Sequence, residues 1–217
     1  MDVLQLAILS ATSFLVGFSG ALMPGAVFVT VVLQVARKGW ISGPLIVVGH
    51  GILEAALTLA LALGLSTLIG MESVHAAIGV FGGFILILMG VDLLRNATHA
   101  TLQRHQIERP PRIARLSPVL SGLLASSVNP YFYLWWATVG NMFTLEGLRI
   151  AGMAGVGVFF LSHWMSDLSW YTLVSITLSR GRRYMTDRIY RTILGSCGLL
   201  VLMLGAWFLW GGIRGIL

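Results

Sequence analysis

The sequence predicts an all-α integral membrane protein: six transmembrane helices in a three-plus-three inverted-topology repeat, with helices 1 and 4 broken in their middles. Three observations carry that expectation. Of 217 residues, 57% are hydrophobic and only 10% charged, with a mean hydropathy of +0.87. Soluble domains average ~25% charged residues, so the chain lacks the polar material to coat a water-facing globule. The apolar residues fall into six runs, each long enough to cross a ~30 Å bilayer core. Lys and Arg gather in alternate gaps between those runs, the segregation that orients a membrane protein.

The runs are Leu4 to Ala36, Ile41 to Ile69, Val74 to Leu94, Leu116 to Phe143, Leu148 to Leu178 and Ile189 to Ile213. The first is led by Asp2 and is too long for a signal peptide, so it is expected to be retained. All but two of the fourteen Lys and Arg lie on one side: Arg37 and Lys38, the segment from Arg95 to Arg115, and the segment from Arg180 to Arg191. Only Arg149 and Arg214 lie on the other. That asymmetry puts the basic side in the cytoplasm and both termini outside it. The net charge of +6 therefore reflects orientation, and no nucleic-acid partner is expected.

The chain divides into residues 1–97, a first three-helix repeat, 98–115, a basic cytoplasmic linker, and 116–217, a second repeat. The linker contains Arg109-Pro110-Pro111-Arg112 and reads as a solvated connection, with contact to anionic membrane lipids the lesser alternative. Asn96-Ala97-Thr98 matches a glycosylation sequon, but the charge asymmetry puts it on the cytoplasmic side. Met23-Pro24-Gly25 interrupts the first run and Asn129-Pro130 the fourth; His50 and Glu54 sit in the second, and His163 and Asp167, at the same spacing, in the fifth. The third and sixth runs are both Gly-rich. Three spans per half is an odd number, so the second half enters the membrane from the opposite side, an organisation typical of secondary transporters.

Each proline removes an N–H and clashes with the carbonyl four residues earlier, here Gly20 and Ser126. Two acceptors are thus freed where there is no water. Run 1 would be ~50 Å long as one straight helix, more than a bilayer needs, so a break absorbs the excess. A helix that restarts presents unpaired N–H groups and a positive dipole end, so the restarts after Pro24-Gly25 and after Asn129-Pro130 can each receive an anionic group. Asn129 can alternatively cap its own half-helix.

The acids inside the spans are functional candidates, because a buried carboxylate costs several kcal/mol unless compensated. His50 with Glu54, and His163 with Asp167, each share one helix face. In one reading Glu54 and Asp167 hold a substrate ammonium or a coupling proton, with His50 and His163 modulating their charge. In a second, His50, Glu54, His163 and Asp167 converge on a divalent metal cation as cargo. In a third, each His only pairs with its own acid as packing. Residue types alone leave these open.

Other features are structural. Asp92 and Arg95 read as a surface pair, and Trp135, Trp136, Trp207 and Trp210 as packing or interface anchors, with a pocket lining the lesser reading for the first two. Gly79 with Gly83 and Gly211 with Gly215 favour close helix contact, within a protomer or in a homodimer. The single Cys197 forms no intramolecular disulfide. No phosphate-cradling loop and no catalytic motif is present, so neither an NTP-driven pump nor an enzyme is expected, and no cofactor.

Ala21-Leu22-Met23-Pro24-Gly25, Ser127-Val128-Asn129-Pro130, the six-span length and the three-plus-three symmetry resemble the lysine exporter family of amino-acid effluxers. Many of its members have a second proline where this chain has Ala26 and a lysine where it has Tyr131. The resemblance covers essentially the whole chain. It implies export of basic or neutral amino acids from the cytoplasm across a prokaryotic inner membrane, with protons as the coupling ion. Its wider superfamily includes heavy-metal exporters, the alternative cargo. The residues expected to carry substrate are Pro24, Gly25, Glu54, Asn129, Pro130 and Asp167.

Overall fold

The computed structural model describes residues 3–23, 25–65, 71–97, 115–181 and 186–215. Pro24, nearly all of the basic linker, and Arg182 and Arg183 lie outside the described residues. The described chain is helical, with no strand. It begins with α1 (Val3–Ala21) and α2 (Ala26–Lys38). Next come α3 (Ser42–Ala60), prolonged by a wide π-type turn at Leu61–Leu65, and α4 (Glu72–Ala97). The second half opens with α5 (Pro118–Ser127) and α6 (Pro130–Trp135), which runs through another wide turn at Trp136–Gly140 into α7 (Asn141–Ala151). It closes with α8 (Met153–Gly181) and α9 (Asp187–Arg214).

Among the described residues, four helical segments are long and apolar enough to cross a membrane: Val3–Ala21, Ser42–Leu65, Ala76–Arg95 and Asp187–Arg214. At 29 residues α8 has the length, but its hydropathy is diluted by His163, Ser166, Asp167 and Ser175, all buried. The 13-residue α2 and 10-residue α5 are short because each is half of an interrupted run.

Local chemistry sets the boundaries. Ser117 caps α5 by accepting from Leu120 N at 3.3 Å, with Pro118 in the first turn. Thr186 caps α9 in the same way through Ile189 N at 3.3 Å. One boundary departs from the sequence expectation, which leaves a gap between Phe143 and Leu148. The helix continues to Ala151, held by a two-point Arg149–Glu146 contact one turn apart, at 2.6 and 2.8 Å. It turns instead at Gly152, whose φ of 58° a side chain would disfavour.

Helices α4 and α9 pack antiparallel with their backbones almost touching. A Cβ on Gly79 would lie 3.0 Å from Gly212 Cα, one on Gly83 2.8 Å from Gly205 O, and one on Gly90 2.9 Å from Gly198 O. The expected Gly79/Gly83 pair is thus used inside the protomer, against glycines seven residues apart on α9. Gly211 faces open space, so the second expected pair does not form one contact face. Helix α5 approaches α3 as closely, with Gly49 against Val119 O and Gly122 against Ile46 O, and α1 lies on α8. At the centre α2 is buried from Ala26 to Val35 except at Phe28, which is half-buried. Trp207 and Trp210 are exposed on α9, where Arg214 sits 4.6 Å from the Trp210 ring.

Gly83→Leu forces side-chain atoms into the α9 backbone and is expected to lower stability in detergent by ~1–3 kcal/mol. Gly211→Leu, which meets nothing, is expected to leave the melting temperature unchanged, and a thermal melt of both variants checks the difference.

Candidate functional site

The two helix breaks lie against each other. In the first, Met23 N returns to Gly20 O at 3.2 Å, and α2 starts at Ala26 from an extended Gly25 with no side-chain cap. In the second, Asn129 N returns to Ser126 O at 3.1 Å, so both carbonyls expected to be freed by proline are taken up by a tightened last turn. Asn129 Oδ1 accepts from Tyr131 N at 3.2 Å and caps α6. At α6 the capping alternative forms, whereas no side chain caps the start of α2. The Asn129 amide nitrogen faces Gly25, 3.1 Å from where a Cβ would stand. Pro130, at the first position of α6, is buried against Gly82 of α4.

Beside the breaks, α3 and α8 bring the four ionisable side chains together. Glu54 Oε1 lies 2.8 Å from His163 Nε2 and 3.1 Å from His50 Nε2. Asp167 Oδ2 lies 3.5 Å from His163 Nε2 and 3.7 Å from His50 Nε2. The shortest contact runs between helices, not within one, so the reading in which each histidine only pairs with its own acid fails. All four are buried, Glu54 to 1% exposure and Asp167 to 2%. Glu54 Oε2 and His163 Nδ1 have no hydrogen-bond partner among the described residues.

The two imidazoles have unlike surroundings. His50 Nδ1 is 2.6 Å from Ser126 Oγ, and Ser126 donates its one hydroxyl proton to Gly122 O at 2.8 Å. Ser126 is then an acceptor for His50 Nδ1–H, which turns Nε2 toward Glu54. His163 stacks on Trp135, ring centroids 4.5 Å apart at 22°, and meets the edge of Trp136 at 5.4 Å. Trp135 and Trp136 are buried and line the site, so neither is an interface anchor. The sequence reading also missed Ser126 and Tyr171, which is buried and lines the cavity. A hydroxyl just ahead of each break was the available signal.

These side chains line a cavity of about 40 Å³, room for about three waters at ~10–15 Å³ each. Among the described residues no Lys or Arg lines it. Two carboxylates without a fixed cation suit an incoming cation or protons on the imidazoles. His50, Glu54 and Asp167 place one ligand-type atom each within 4.8 Å of one another; the expected fourth metal ligand, His163, is not in that trio.

Membrane-length helices packed around buried ionisable side chains beside two helix breaks fit a membrane translocator. The chain belongs to the LysE type translocator family, which matches residues 18–212. It is 24% identical over 154 residues to YcgF of Bacillus subtilis (strain 168), named a candidate amino acid efflux protein, covering 71% of this chain and 72% of that one. It is 28% identical over 192 residues to ChpE of Pseudomonas aeruginosa, named a chemotactic transduction protein, covering 88% and 92%. No solved structure matches it significantly. Neither name supports a metal cargo.

Removing the α6 cap by Asn129→Ala is expected to lower stability by ~1 kcal/mol, and Asn129→Ser to restore most of it. Equilibrium unfolding of the two variants in detergent checks this.

Proposed function

We propose that the protein is a secondary active exporter of basic or neutral amino acids, driven by protons and working by alternating access. The observation that carries this reading is the convergence of His50, Glu54, His163 and Asp167 from two helices at the crossing of the breaks. Glu54 and Asp167 take the substrate ammonium. The uncapped start of α2 at Gly25, with the Asn129 amide beside it, takes the carboxylate. A cation entering the cluster removes the need for protons on His50 and His163, so substrate and protons compete for the same compensating role. That competition is what exchange of one for the other requires. A cavity of about 40 Å³ must widen to admit an amino acid.

Six membrane crossings account for the chain if α1 with α2, and α5 with α6 and α7, are the two broken spans, residues 1–97 and 116–217 the two repeats, and 98–115 the cytoplasmic linker. The contacts support that symmetry. Helix α1 lies on α8 as α5 lies on α3, and α4 runs antiparallel to α9, as corresponding elements of an inverted repeat do. The basic side then faces the cytoplasm of a prokaryotic inner membrane and both termini face out. Exposed apolar side chains such as Leu15, Phe81 and Leu173 contact lipid.

Thermal melts of the detergent-purified protein against amino acids and divalent metals test the reading. A ligand that binds only the folded state adds ~2.7 kcal/mol at a hundredfold excess over its Kd. Stabilisation by an amino acid is expected, lost in Glu54→Gln and Asp167→Asn, which are also expected to fold yet abolish efflux from loaded vesicles. Stabilisation by a metal alone, or normal efflux by both variants, would contradict it.

A further inference from the structure

Alternating access needs a breakable seal on each side of the cavity, and polar contacts between the half-helices stand in both places. On the side where α2 ends and α5 begins, the Gln34 amide donates to Ser121 Oγ at 2.6 Å and to Leu116 O at 3.3 Å. One turn on, Lys38 Nζ donates to Leu116 O at 2.5 Å. Gln34 is fully buried on a helix whose other buried residues, Thr30 apart, are apolar, among them Val29, Val31, Val32, Leu33 and Val35. An amide there is unfavourable unless bonded, so its place in that face calls for an explanation beyond packing. It lies ~13 Å along the axis from Gly25 at 1.5 Å per residue, and the packed helix between separates it from the cavity.

On the other side, where α1 ends and α6 begins, Ser19 accepts twice. Its carbonyl takes Tyr131 Oη–H at 3.1 Å and its hydroxyl takes Trp135 Nε1–H at 3.1 Å. Tyr131 and Trp135 also line the cavity, so this contact is directly at its mouth. Helices α1 and α2 leave the first break in opposite directions, and so do α5 and α6 at the second. The two contacts therefore stand on opposite sides of the site, each joining the first broken segment to the second. A polar contact suits a gate, because its groups can bond to water when the path opens, whereas an apolar interlock would be left exposed.

We propose that Gln34 with Ser121 and Leu116 is the cytoplasmic gate, and Ser19 with Tyr131 and Trp135 the outer gate, broken in alternation. This rests on the alternating-access reading and its orientation. Both contacts are made here, within packed helix on the cytoplasmic side and at the mouth of the cavity on the outer one.

The experiment places a reporter thiol in the cavity, Met23→Cys with Cys197→Ser, and labels it with a membrane-impermeant maleimide from either face of oriented vesicles. Adding Gln34→Ala is expected to speed labelling about fivefold, the population change that loss of one or two net hydrogen bonds gives, from the cytoplasmic face only. Adding Ser19→Ala with Tyr131→Phe is expected to do so from the outer face only. Val31→Ala, as buried and on the same helix as Gln34, controls for loosened packing and is expected to change nothing. No acceleration, acceleration from both faces, acceleration from the wrong face, or an equal effect of Val31→Ala overturns the assignment. Labelling needs no substrate, so its outcome is independent of whether an amino acid is the cargo.

Discussion

Two carboxylates inside an apolar bundle set the terms for the rest of the structure. Glu54 and Asp167 are buried to 1% and 2% exposure, and an uncompensated buried carboxylate is destabilising by several kcal/mol. Among the described residues compensation comes from His50 and His163, and both imidazoles reach both acids only while α3 and α8 keep one relative rotation. Each remaining element bears on that rotation. Helix α5 pins α3 through Gly49 and Gly122, α1 lies on α8 with Gly17 against Ser166 and His163, and Ser126 orients the His50 ring.

The glycines explain how helices without apolar selectivity for one another hold such a geometry. In a lipid environment side chains gain little by leaving the solvent, so close backbone approach and interhelical hydrogen bonds carry the association. The α4–α9 seam along Gly79, Gly83 and Gly90 is a rigid pair of that kind. The contacts between the half-helices differ in nature. There the partners are hydroxyls, an amide and an indole N–H, which can change partners without leaving a void. Close backbone seams and exchangeable polar contacts in one bundle are what the proposed access from two sides would require.

Much of this was legible in the sequence. Composition and hydropathy carried the membrane class, since α3, α4 and α9 follow apolar runs with few polar interruptions. The two breaks followed from Pro130 and from Met23-Pro24-Gly25, and the identical spacing of His50 with Glu54 and of His163 with Asp167 marked the four side chains while leaving open whether they meet. What stayed hidden depends on rotation and local bonding. That His163 would bond Glu54 in preference to Asp167 is a property of how α3 faces α8, which hydropathy does not encode. That Trp135 would stack on His163 instead of sitting in an interface belt follows from the tight turn at Asn129, which aims α6 inward. The turn at Gly152 was missed because the Glu146–Arg149 pair looked like loop polarity but supports another helical turn.

The central claim is that the charges of α3 and α8 form one energetically coupled site. A double-mutant cycle on thermodynamic stability, with Glu54→Gln, His163→Gln and their combination unfolded reversibly in detergent, measures that coupling. The account predicts a non-additive result, with an interaction energy in the range of ~0.5–3 kcal/mol found for residues in direct contact. Additivity within ~0.3–0.5 kcal/mol would mean that the two helices carry separate charges, and would contradict it.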